Sequence, residues 1–132
     1  MTTKLDYINY KFLKAEESVK AAKILLENNL WGEALSRIYY AAFYGVSALL
    51  INLKLNPKTH GGAKSLFHKE FVMTGIIDKN FSELYDTLLA KRFEVDYEMF
   101  AIIDEEKVQL YLESVIKFIE KAKELTGYNK VD

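Results

Sequence analysis

The 132-residue sequence contains no cysteine, one proline, six glycines and two histidines. Without cysteine neither a disulfide framework nor a thiolate zinc site can form. With so little proline and glycine, few positions force regular structure to stop, and long helices are expected. Arginine is equally scarce: sixteen of the eighteen basic residues are lysine, leaving Arg37 and Arg92 as the only arginines. Lysine suits a solvated surface, whereas the planar guanidinium suits ion pairs and bidentate capture of anions. The formal net charge of −1 lacks the basic bias of a protein that grips duplex through many phosphates.

Other classes fall away for similar reasons. Neither His60 nor His68 has glutamate three residues before it, since Pro57 and Ser65 stand there. The Glu-x-x-His pairs of a di-iron bundle are therefore missing, as is any His-Glu-x-x-His pattern. No metal and no cofactor are expected. The N-terminal residues Met1 to Asp6 lack the apolar core of a signal peptide. The apolar stretch Ile38 to Ile51 is interrupted by Tyr39, Tyr40, Tyr44, Gly45 and Ser47 and is shorter than the roughly 20 residues that cross a bilayer. A cytoplasmic protein with no membrane association is the expectation.

What is present is apolar material: 50% of the residues are hydrophobic and 14% aromatic. That is enough for a packed core in a single domain, residues 1–132, and too much for a disordered chain. Between Leu5 and Asn28 the apolar positions Ile8, Phe12, Ala15, Val19, Ala22 and Leu26 step by four and three alternately, which predicts a first helix. Trp31 to about Leu53 reads as a second helix, apolar on more than one side and hence central. The break at Asn56–Gly62 precedes a shorter third helix from Ala63 to Thr74. A fourth helix is expected to start at Asn80 or Ser82 and to weaken near Asp96–Tyr97. A fifth is expected to start behind Asp104 and to end at Thr126–Gly127. The fold class is all-α: an up-and-down bundle of about five helices.

Three segments could carry chemistry. Arg37, Tyr40 and Tyr44 share one face of the second helix, with Tyr39 and Phe43 beside them. A guanidinium among aromatic rings could hold a phosphate while a ring stacks on a base; the same tyrosines could equally fill the bundle. Arg92 and Asp96 have ion-pair spacing, and Arg37 is a second candidate partner for Asp96; Tyr97 follows directly. Such a pair could tie two helices together or could orient an anion site. Lys58, His60 and the Gly61–Gly62 pair form a turn leading into a helix N-terminus, where an anion could bind. No Walker spacing accompanies it.

Taken together, Ala34–Phe43, Lys58–Gly62, Phe67–Gly75 and Arg92–Tyr97 resemble, in order, the HEPN family (higher eukaryote and prokaryote nucleotide-binding domain), in its small prokaryotic form. The resemblance covers roughly Leu5 to Lys123. It implies a helical bundle that commonly forms a homodimer. It also implies, for many members, a minimal nucleotidyltransferase partner in a toxin–antitoxin-like pair. Other members are metal-independent ribonucleases marked by Arg, four to six residues, then His. This sequence departs from that mark: the places after Arg92 hold Tyr97, Glu98 and Met99, and those after Arg37 hold Ala42, Phe43 and Tyr44. The leading expectation is a non-catalytic module for a nucleotide-like anion or RNA and a protein partner. The alternatives are a ribonuclease using Arg92 or Arg37 with His60 and Tyr97, and a purely structural adaptor. The first two require Arg37, His60, Arg92 and Asp96 to meet at one solvent-facing site.

Overall fold

The computed structural model describes residues 3–97 and 103–128. Helix α1 spans Lys4–Glu27, α2 Trp31–Asn52, α3 His60–Phe67, α4 Lys79–Tyr97 and α5 Glu105–Thr126; one π-helical turn, His68–Val72, continues α3. No strand occurs among the described residues. The molecule is an all-α up-and-down bundle built around α2.

Local chemistry sets the ends of these helices. Thr3 accepts the Asp6 N–H at 3.2 Å while the Asp6 carboxylate accepts the Thr3 N–H at 2.9 Å, a capping box with aspartate as its acidic member. Asn28 closes α1, and Asn29 turns the chain through a φ of 61°. Asp104 caps α5 by accepting the Glu106 and Lys107 N–H groups at 3.0 and 3.4 Å. Gly127 ends it in the left-handed conformation, φ 68°. Asp104→Ala should lower stability by about 1 kcal/mol, read as a lower urea midpoint with unchanged slope; an unchanged midpoint would mean that the cap contributes nothing.

Helix α2 buries eleven of its 22 residues. It packs along α1 and against α4 and α5 on its other sides. By length and composition alone α2 is apolar enough to cross a membrane, as a buried core helix also can be, and 61% of its most apolar stretch lies inside the bundle. Its apolar surface is thus met by protein rather than left bare. Two glycines set its spacing. A Cβ on Gly32 would sit 3.2 Å from Val95 of α4, and one on Gly45 would sit 2.8 Å from the Phe118 ring of α5.

Two boundaries differ from the sequence reading. Helix α3 begins at His60 rather than Ala63, because Thr59 accepts the Gly62 N–H at 2.9 Å and so caps the helix earlier. Gly61 and Gly62 lie inside its first turn and do not form a separate hinge. Helix α4 is started by Asp78, whose carboxylate accepts the Asn80 N–H at 2.7 Å; Ser82, the other expected cap, is buried in the first turns. The π turn was not expected from periodicity. It widens the chain at His68–Val72 before Gly75 reverses it at φ 79°.

Candidate functional site

The site grows from one face of α2. Arg37, Tyr40 and Tyr44 follow one another along it, with Tyr39 and Phe43 on the adjoining strip. Tyr39 is fully buried, whereas Arg37, Tyr40, Phe43 and Tyr44 are half-buried. The α2–α4 packing brings Arg92 over the same rings, its guanidinium carbon 5.0 Å from the Tyr40 centroid and 5.5 Å from that of Tyr39. The Arg37 guanidinium carbon also lies 5.0 Å from the Tyr40 centroid. Both arginines of the chain therefore gather on a single tyrosine ring. Each contact is of the cation–π kind.

His60 arrives from the N-terminus of α3. Its ring stacks on Phe43 with centroids 4.4 Å apart and planes within 10°. Its Nδ1 and the Tyr39 hydroxyl are 2.5 Å apart in a hydrogen bond whose donor is set by the imidazole tautomer. Burial, and then the Arg92 charge, hold the His60 pKa below its usual value. The same burial pushes the Tyr39 phenol up, against the pull of Arg92. Tyr85 packs on Tyr39 at 5.9 Å, and its own buried hydroxyl has no aligned hydrogen-bond partner among the described residues.

Among the described residues the two arginines share a single ion pair. Arg92 lies 3.3 Å from Asp96 through its Nε, but the N–H is poorly aligned and makes no hydrogen bond. Arg37 forms no ion pair among the described residues, so the expected alternative pairing of Arg37 with Asp96 is not made. The reason is local: Asp96 sits one turn beyond Arg92 on the same helix. Among the described residues Asp96 is the one carboxylate paired with an arginine, and it meets Arg92 alone.

The remaining expected residues are less central. Tyr44 is tilted against Tyr40 and Phe43, with centroids 6.4 and 5.9 Å away, and receives Lys11 at 5.7 Å. Lys58 is exposed just before the Thr59 cap and makes no ion pair among the described residues. Tyr97 is 70% exposed and pairs with Phe93 at 4.7 Å instead of joining the arginines. Glu98 and Met99 lie outside the described residues. His68 belongs to a separate cleft between α3 and α4, where it lies 3.5 Å from Ser82 Oγ. Tyr39 and Phe43, which lie beside the Arg37–Tyr40–Tyr44 face in the sequence pattern, carry the His60 contacts. Their spacing four apart on the more buried strip was the available signal.

An NMR titration should place His60 below the roughly 6.5 of a free histidine, and Arg92→Gln should move it upward by removing the nearby charge. A native value lowered relative to the unfolded chain means that the unfolded state binds more protons as pH falls through this region. The contribution is therefore present above the unfolded value and is lost on acidification. A His60 resonance titrating above free histidine would contradict this placement.

Comparison with known proteins agrees with this architecture. The sequence pattern of the HEPN domain matches residues 9–125. A "UPF0332 protein" of Thermotoga maritima is 34% identical over 125 residues, covering 95% of each chain. Two proteins of Methanocaldococcus jannaschii, "Putative toxin MJ0605" and "Putative toxin MJ0142", are each 36% identical. Those alignments cover 83% of this chain in both cases, and 81% and 75% of the two relatives. With the match running from the first turns of α1 to the end of α5, this chain belongs to the HEPN domain family.

Proposed function

We propose that the protein is a binding module whose α2–α3–α4 face takes a nucleotide-like phosphate and which also engages a protein partner. The observation that carries the reading is the convergence of Arg37 and Arg92 on the Tyr40 ring, with the His60 ring edge-on to the same tyrosine at 6.3 Å. Two like charges held near one ring repel, and one carboxylate offsets only part of that. An anion would relieve the repulsion, since guanidinium edges not facing the ring keep N–H donors free. Neighbouring tyrosines would supply a stacking surface for a base. A homodimer, with a second copy closing over this face, fits this reading. A minimal nucleotidyltransferase is the partner that the family suggests.

The test is calorimetric titration of the protein with ATP, other nucleotides and short RNA. Saturable heat from at least one is the expected result; silence from all of them would remove the ligand half of the proposal.

A second reading is favoured by the placement of His60 and Arg92 against the same Tyr40 ring and by the toxin names of two relatives. In it the neutral imidazole takes the proton of an RNA 2′-hydroxyl, the 2′-oxygen bonds to the adjacent phosphorus, and the bond from phosphorus to the 5′-oxygen breaks, that oxygen leaving with a proton from water; a guanidinium stabilises the negative charge on the non-bridging oxygens. Nδ1 is engaged by Tyr39; with the ring proton on Nδ1 and the Tyr39 oxygen accepting it, Nε2 keeps a free lone pair for that role. Growth arrest on expression, abolished by Arg92→Ala and accompanied by chelator-resistant RNA cleavage, is the result expected of this version. Intact RNA after prolonged incubation at high protein concentration would dispose of it.

A further inference from the structure

Away from the arginine face, α4 and α5 splay apart and leave an open cleft of about 750 Å³. Its floor is aromatic, with Phe81 stacked on Phe118 at 3.8 Å and 9°. Ile76 and Leu110, 46% and 59% exposed, stand on its edges. Lys117 and Lys121 also line it, one turn apart on α5. Neither lysine forms an ion pair among the described residues, whereas nearby Lys123 is held by Glu16 at 2.7 Å and lies 3.6 Å from Glu120. The acid in the cleft, Asp78, already spends a carboxylate oxygen capping α4. Polarity therefore changes along the cleft: Leu110 marks an apolar end and Lys121 a basic end, roughly 16 Å apart along the helix.

We infer that this cleft docks an amphipathic helix of a partner protein, about three turns long, with an apolar ridge and acidic side chains towards one end. This deepens the partner-binding half of the proposed function. Three physical points select that occupant. The two long walls are α4 and α5, with the Gly75–Asp78 connection closing one side; helix backbone groups are satisfied internally and no strand edge is present among the described residues, so an extended peptide would find no ladder to join, and a helix brings its own hydrogen bonds. The cleft is open along its outer side, while a small ligand needs most of its surface enclosed. The two unpaired lysines select acidic over basic partners, since like charges across an interface are costly.

The experiment uses a fluorescein-labelled amphipathic peptide with leucines on one face and two glutamates one turn apart near one end. A twin carries lysines in place of the glutamates. Anisotropy with the full chain should show saturable binding of the acidic peptide and at least about tenfold weaker binding of the twin. Lys117→Glu/Lys121→Glu should invert that preference. Both side chains are exposed, so a melting curve like the wild type will confirm an intact fold. Equal binding of both peptides, binding of neither, or indifference to the double substitution overturns the inference. So does a change of oligomeric state in the double variant, which would assign the cleft to a second copy of this chain. ATP titration of the same variant should match the wild type. Failure of the nucleotide reading would show as silent ATP titrations with the peptide result untouched.

Discussion

Arg92→Ala should weaken ATP binding by about 10- to 100-fold while leaving the melting temperature close to that of the wild type. The magnitude follows from charge-assisted hydrogen bonds, each contributing roughly 1.5–3 kcal/mol when a buried or half-buried anion loses its donor. The small stability effect follows from the exposure of its partner. The Asp96 side chain is 33% exposed and meets Arg92 through a poorly aligned Nε; partly solvated pairs of this kind contribute about 0–1 kcal/mol. Arg92→Lys keeps the charge but loses the planar fork, so it should recover only part of the affinity. Arg37→Ala should show a similar loss of binding, because its guanidinium sits equally close to Tyr40. The purely structural reading forecasts the opposite pattern: a large drop in stability and no ligand to lose. Affinity and melting temperature measured on the same three variants separate the two readings. Unchanged ATP affinity in both alanine variants, with heat still released, would place the nucleotide elsewhere.

Most of the fold was legible because the apolar periodicities are long and their ends are chemically marked. The four–three stepping from Ile8 to Leu26 gave α1, and the near-continuous apolar surface of α2 gave its central position. Asp104 and Gly127 marked both ends of α5 as expected. The misplaced starts share one cause. At Thr59 and Asp78 the capping side chain precedes residues that read as breakers or neutral positions, and a cap decides a helix start more strongly than the residues after it. The π turn at His68–Val72 had no signal, because a single widened turn leaves the apolar spacing nearly unchanged.

The site was legible as a set of scarce side chains but not as an arrangement. That Arg37, His60 and Arg92 lie together depends on α3 and α4 both packing against α2, a contact that no local pattern encodes. Scarcity helped: with only two arginines and two histidines, any shared location stands out against a lysine-rich surface. Asp96 could not be assigned between two arginines from spacing alone, and the shorter path along α4 prevailed. Tyr97 misled for the opposite reason. It occupies a place where histidine stands in ribonuclease members, yet it turns outward beside Phe93. Sequence position after an arginine therefore did not translate into proximity to it.

Gly45→Ala should lower stability by about 1–3 kcal/mol, whereas Gly61→Ala should raise it by roughly 0.4–1 kcal/mol. Both glycines lie within helices, where alanine normally stabilises the chain because glycine loses more backbone freedom on folding. The sign reverses at Gly45 because its added Cβ would stand 2.8 Å from Phe118 Cε2. That ring cannot retreat easily: Phe81 covers it at 3.8 Å and Phe67 meets its edge at 5.8 Å. A Cβ on Gly61 meets nothing within 4 Å. Urea unfolding of the two variants and of Gly45→Ala/Phe118→Leu tests the cause as well as the size. If the clash is responsible, the leucine should be less damaging in the alanine background than in the wild type, giving a favourable coupling between the two sites. Additive losses, or a Gly45→Ala protein more stable than the wild type, would show that α2 and α5 are not held at the separation this glycine sets. The spacing matters beyond stability, because α2 is also the helix that presents Arg37 and Tyr40. A shift of α2 away from α5 would move that face relative to Arg92, so Gly45→Ala should weaken nucleotide binding slightly even though Gly45 itself faces Phe118 of α5.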